Sequence, residues 1–184
     1  NNVYDIIVNA NDGVNNTTKA VAISVTDVND VTPTITSGTT GTEAENTATT
    51  NVVYTATATD ADTVGTLTYS LTGADATKFS IGSANGQVKF LASPNFESPT
   101  DVGGNNVYDI TINVSDGSNT ATKAVAISVT NVNDVAPVIS SGTTGTEAEN
   151  TATTNVVYDA NASDAEGDTI TYSLSGTDAA KFSI

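Results

Sequence analysis

The chain repeats itself at the scale of a whole domain. NNVYD opens the sequence and returns from Asn105 to Asp109, an offset of 104 residues. KAVAISVT runs from Lys19 to Thr26 and again from Lys123 to Thr130. SGTTGTEAENTATTNVVY, from Ser37 to Tyr54, recurs unchanged from Ser141 to Tyr158. After Asp60 and Asp164 the offset slips to 103, so that Tyr69 matches Tyr172 and Lys78 matches Lys181. Solenoid units run to about 20–50 residues, so a period of this size is one small folded domain. The chain reads as a window on tandem copies. Residues 1–30 are the C-terminal part of one copy, 31–134 a complete copy, and 135–184 the N-terminal part of the next. A complete copy is long enough to bury a core, whereas the end pieces alone are not. The window shows no starting Met, signal peptide or long apolar run.

Within a copy, β-branched and apolar residues alternate with polar ones. Tyr108, Ile110, Ile112 and Val114 fall on one face, with Asp109, Thr111 and Asn113 on the other. Val125, Ile127 and Val129 repeat the pattern. A period of two marks half-buried strands. Turn-forming pairs lie between the runs: Asn85-Gly86, Gly103-Gly104 and Asp116-Gly117. The spacing predicts strands over 34–37, 52–59, 67–72, 79–81, 87–91, 107–115 and 122–132. Only GADATK, residues 73–78, reads as a helical turn. Seven strands in about 100 residues predict an all-β, antiparallel Greek-key sandwich. Pro33 and Pro137 stiffen the entry into each following copy, so consecutive sandwiches are expected end to end.

Net charge is −16, with five lysines and no arginine. That excludes a basic face for nucleic acid or for an anionic membrane surface. There is no Cys, His, Met or Trp, so disulfides, imidazole bases and soft-metal sites are excluded as well. What remains in quantity is carboxylate and amide oxygen, the ligand chemistry of hard cations.

The acids fall in a fixed order. The boundary between copies reads DVNDVTP from Asp27 to Pro33 and NVNDVAP from Asn131 to Pro137. Ala44-Glu45-Asn46, Asp60-Ala61-Asp62, Asn95-Phe96-Glu97 and Ser115-Asp116-Gly117 complete the set. Together these resemble the linker, PEN, DxD, DRE and AxDxG segments of cadherin repeats, and the resemblance covers the whole chain. The stretch from Asn95 to Gly117, with its Gly-rich loop before VYD, is especially similar to bacterial cadherin-like repeats. The resemblance implies a tandem array of Ig-like, cadherin-like sandwiches with Ca²⁺ bound at the seams. A DxND linker supplies two carboxylates and amide or backbone oxygen within four residues, toward the six to eight oxygens that Ca²⁺ takes.

The family pattern distributes the ligands by seam. The first seam takes Asp27, Asn29 and Asp30 from the linker and Asp60, Asp62 and Asp116 from the following copy. The second takes Glu45 and Glu97 from the preceding copy and Asn131, Asn133 and Asp134 from the linker. Asp164 and Glu166 come from the following copy, with Asp168 a further candidate. Asn131 in place of Asp27, Glu166 in place of Asp62, and Asn95 in place of a family acid predict weaker binding at the second seam.

Plainer readings stand beside these. Asp12, Asp116 and Glu166 precede glycines and suit turns. Asp75 and Asp178 suit helix capping, and Glu43 and Glu147 suit solvent. Lys19 and Lys123 are isopeptide candidates by residue type only. Carboxylates at domain tips without His or Arg partners give no support to catalysis. The leading expectation is a Ca²⁺-rigidified extracellular stalk of a large surface or secreted protein, serving adhesion or projection. The alternative is a structural subunit of an extracellular fibre, sheath or surface layer, in which identical chains pack laterally. A spacer attached to a secreted enzyme comes third.

Overall fold

The computed structural model describes residues 2–62 and 64–184; Asn1, the first letter of NNVYD, and Thr63 lie outside the described residues. The strands in chain order are β1 (Val3–Asn11), β2 (Asn16–Ser24), β3 (Thr34–Ile35), β4 (Thr40–Ala44), β5 (Tyr54–Thr55), β6 (Ala58–Thr59) and β7 (Thr68–Thr72). They continue as β8 (Phe79–Ile81), β9 (Gln87–Phe90), β10 (Val107–Ser115), β11 (Thr120–Thr130), β12 (Val138–Ile139) and β13 (Ala162–Ser163). Single 3₁₀ turns at Ala76–Lys78 and Ala179–Lys181 are the helical elements among the described residues.

The centre is a two-layer sandwich. One layer is ordered β4–β11–β10–β7, and the other β5–β9–β8, with the short pair β3–β6 beside them. β10 and β11 form a long hairpin, in a register that sets Tyr108 opposite Ile127 and Ile110 opposite Val125. Their alternating residues Tyr108, Ile110, Ile112, Val114, Val125, Ile127 and Val129 are buried, as the period of two requires. Phe79 and Phe90 come from the opposite layer and stack 4.4 Å apart. Both meet the Tyr108 ring edge-on, at 5.7 and 5.1 Å, the geometry in which a ring edge faces a π cloud.

Two strands depart from the sequence expectation. Residues 52–59 were expected as one strand, yet the segment changes partner midway. Tyr54 pairs with Val88 of β9, whereas Thr59 pairs with Thr34 of β3. The handover keeps the backbone satisfied: Ala56 N–H reaches Gly86 O at 2.9 Å, and Thr57 O accepts Thr36 N–H at 2.8 Å. Gly86 fits because a Cβ there would lie 2.3 Å from the Ala56 carbonyl oxygen. The second departure is β4, which lies outside every strand that the spacing predicts. It adds to β11 in parallel, Thr40 beside Ala126 through Ala44 beside Thr130. Gly41 permits that approach, since a Cβ there would meet Ile127 Cδ1 at 2.7 Å.

The β1–β2 hairpin copies the β10–β11 register, Val3 opposite Ser24 as Val107 is opposite Ser128. Its apolar face is open: Tyr4 is 61% exposed where Tyr108 is 1% exposed. Phe182, the counterpart of Phe79, is likewise exposed. The same letters are buried only where both layers are present. No described helix is long and apolar enough to cross a membrane.

Candidate metal centre

The fold delivers acidic side chains to the seams by three devices. The first is β4. Its parallel pairing carries Glu45 to the end of β11, where Glu45 N–H donates to Thr130 O at 3.1 Å. The second is the Asp-x-acid turn: Asp60 Oδ1 accepts Asp62 N–H at 3.0 Å, and Asp164 Oδ1 accepts Glu166 N–H at 2.9 Å. The third is the Asx turn after β10, where Asp116 Oδ1 accepts the N–H groups of Ser118 and Asn119, both at 2.7 Å. Asp12 makes the same turn after β1, so the turn reading of both residues holds.

At the first seam, Asp62 Oδ2 accepts the linker N–H groups of Asp30 at 2.9 Å and Val31 at 2.8 Å. Asn29 Nδ2 donates to the Asp116 backbone oxygen at 3.2 Å. Asn29 Oδ1 and Asp60 Oδ2 are buried without a hydrogen-bond donor. The Asp116 carboxyl is held below the ordinary value, chiefly by the Asn119 backbone N–H and then by that of Ser118, against the opposing effect of burial. It is thus held as a carboxylate beside the linker.

The second seam brings residues from both sides of its linker together. Single carboxylate oxygens of Glu45, Glu97, Asp134 and Glu166 all lie within 4.8 Å of one another. Asp164, Glu166 and Asp168 form a second group within the same limit, so Glu166 belongs to both. Glu45 is 2% exposed and accepts Val132 N–H at Oε1 and Phe96 N–H at Oε2, each at 2.8 Å. Burial raises its pKa, but those N–H groups outweigh burial and hold it below the ordinary value. Glu97 is its opposite, with both oxygens buried and no hydrogen bond from any other residue. Its own backbone N–H draws the pKa down, but burial and the negative charges of Glu45 and Asp134 together carry it above the ordinary value. Buried acceptors without donors, packed among like charges, are the arrangement a bound cation resolves.

The exchange of Asp62 for Glu166 keeps the linker grip. Glu166 takes Asp134 N–H at Oε1, 2.7 Å, and Val135 N–H at Oε2, 3.0 Å. Asn133 Nδ2 donates to Asp168 Oδ2 at 2.6 Å, where its counterpart Asn29 uses the Asp116 carbonyl. Asn131 and Asp27 are both exposed, each at the start of its linker. Asn95 closes a local turn, with Oδ1 accepting Ser98 N–H at 2.6 Å. The sequence reading passed over Asn46. It sits at φ 60° after Glu45 and donates from Nδ2 to Asp134 Oδ2. The N of the Ala-Glu-Asn triplet was the available signal.

Three plainer readings need correction. Glu43 is buried at 9% exposure, with Oε2 accepting Asn51 Nδ2 at 2.7 Å, and is not solvated. Asp75 makes no capping bond to its 3₁₀ turn. It is 1% exposed and accepts Val102 N–H at Oδ1 and Asp109 N–H at Oδ2, both at 2.8 Å, because the loop folds back over it. Asp178 likewise makes no cap, and instead pairs with Lys181 at 2.6 Å. Lys123 donates to the backbone oxygens of Ser37 at 2.6 Å and Ile35 at 3.1 Å, an ordinary tie between β11 and the end of β3.

The two-layer sandwich and the parallel β4–β11 edge define a cadherin-like fold. A protocadherin gammaB7 EC3–6 cis-dimer structure matches at TM-score 0.70 and 20% identity, over 90% of this chain and 44% of that one. Human protocadherin-24 EC1–2 matches at TM-score 0.62 and 24% identity, over 74% and 61% of the two chains. Mouse cadherin-23 EC22–24 matches at TM-score 0.57 and 24% identity, over 71% and 43%. The chain spans less than two thirds of the length of each of these structures. At this identity the likeness establishes the fold. No family model and no curated protein matches the chain.

Proposed function

We propose that the chain is part of an extracellular, adhesion-type array of cadherin-like modules whose seams are stiffened by Ca²⁺. The observation that carries this reading is the cluster of Glu45, Glu97, Asp134 and Glu166. It draws on the segment before the linker, the linker itself and the segment after it. A cation held there bridges all three. Without the cation, like charges face one another and favour separation; with it, repulsion becomes coordination and the rod stiffens.

The oxygen-only donor set and the absence of Cys and His suit Ca²⁺ rather than zinc or copper. Residues proposed to hold the ion are Glu45, Glu97, Asn131, Asn133, Asp134, Asp164 and Glu166 at the second seam. At the first seam they are Asp27, Asn29, Asp30, Asp60, Asp62 and Asp116. Extracellular modules bind Ca²⁺ at roughly 10⁻⁴–10⁻³ M, a range filled outside cells. The partners are neighbouring modules of the same chain, and the work is to project or join surfaces.

Small-angle scattering of the chain in Ca²⁺ and in EDTA tests this. The reading predicts a longer, narrower distribution of distances in Ca²⁺. Identical profiles in the two buffers would overturn it.

A further inference from the structure

The connection between β9 and β10 holds more buried polar structure than a surface loop requires. Asp101 is 7% exposed and accepts Asn105 N–H at Oδ2, 3.0 Å, and Asn106 N–H at Oδ1, 3.1 Å. Asn106 enters β10 at φ 62°, a left-handed conformation that Asn tolerates better than most residues. From there its Nδ2 donates to the Phe96 carbonyl at 2.9 Å. The Phe96 N–H in turn donates to Glu45 Oε2 at 2.8 Å. The Asn106 backbone oxygen accepts Val129 N–H at 2.8 Å, which ties the same residue to the strand leading into the seam. An unbroken relay therefore runs from Asp101 through Asn106 and Phe96 to Glu45, with Glu97 adjacent to Phe96 in the chain. Asn106 Oδ1 and both Glu97 oxygens are buried acceptors without donors.

We infer that Asp101 and Asn106 are positioning residues for the cation-binding half formed by Glu45 and Glu97. The inference rests on the calcium reading of the seam. Neither residue belongs to the gathered carboxylates. Asp101 sets the conformation of Asn106, and Asn106 holds the Phe96 carbonyl. The opposite end of that residue then presents its N–H to Glu45 and leaves Glu97 beside it. Groups that orient metal ligands from outside the coordination shell change affinity roughly ten- to hundredfold. The backbone tie recurs one period earlier, where Asn2 O accepts Val25 N–H at 2.8 Å.

The test compares the unmodified chain with Asn106→Gly and Asp101→Asn. Glycine keeps the left-handed backbone and removes only the amide. Asparagine keeps the size of Asp101 and removes its charge. Ca²⁺ is titrated calorimetrically, and the second-seam event is identified as the one that Glu97→Gln abolishes. That event should weaken by roughly ten- to hundredfold in both variants. In EDTA, hydrogen exchange at the Phe96 amide should also quicken, a readout that needs no ion. Unchanged affinity beside a normally binding unmodified chain overturns this inference alone. An unmodified chain that binds no Ca²⁺ overturns the calcium reading and this inference with it.

Discussion

Glu97 lies beside Glu45, carboxylate oxygen within 4.8 Å of carboxylate oxygen, and of the two only Glu45 accepts backbone N–H groups of other residues. Two neighbouring acids are thus driven apart in pKa, one below and one above the ordinary glutamate range. The pair is strained as apoprotein and ready as ligand.

Glu97→Gln should therefore change sign with the buffer. In EDTA near neutral pH the variant should melt at or above the unmodified chain, because it removes a buried charge that Glu45 and Asp134 repel. In Ca²⁺ it should melt lower, because a ligand is gone. The raised pKa gives the pH dependence: the folded chain holds the proton more tightly. Glu97 therefore lowers ion-free stability as pH rises from 4.5 through its raised value. Paired thermal melts in the two buffers check both parts.

Glu166 serves both carboxylate groups and both linker N–H bonds, whereas Asp168 serves one group. Glu166→Ala should abolish the melting increment produced by Ca²⁺ at the second seam, and Asp168→Ala should reduce it. At free Ca²⁺ a hundredfold above Kd the full increment is about 2.7 kcal/mol. Equal effects of the two variants would contradict the shared role of Glu166.

Asp75 should matter equally with and without calcium. Asp75→Ala removes the shared acceptor of the Val102 and Asp109 N–H groups, at a cost of roughly 0.5–1.5 kcal/mol for each hydrogen bond lost. Denaturant unfolding should show the same loss in Ca²⁺ and in EDTA.

Acid should loosen the loop before β10. Burial raises the Asp101 pKa, but the N–H groups of Asn105 and Asn106 outweigh it and hold the carboxyl low. The unfolded chain then takes up the proton first. The stabilisation is complete above the ordinary aspartate value of 3.8 and is lost as pH falls through the depressed one. Asp101→Asn should flatten that part of the stability profile, as acid unfolding monitored by circular dichroism would show.

What could be read from the letters was what is local. The alternation from Tyr108 to Val114 exposed a strand because a period of two survives in one sequence segment. The order of DVND, AEN, DAD, NFE and SDG was legible because each motif is a turn or linker of a few residues. β4 stayed hidden, since TGTEA lacks apolar alternation and its partner β11 lies more than 80 residues away. The break at 56–57 stayed hidden because side-chain alternation continues while the hydrogen-bond partner changes from β9 to β3. Asp75 and Glu43 were misplaced for a related reason: what buries them is a fold-back of chain, not their own neighbours.

The central claim is that the second seam is a cation site. Calorimetric titration of Ca²⁺ into the EDTA-stripped, dialysed chain tests it most directly. Saturable binding at roughly 10⁻³ M or tighter is expected, with an event that Glu97→Gln removes. No saturable heat up to ten times that concentration, or binding indifferent to Glu97→Gln, would contradict the claim.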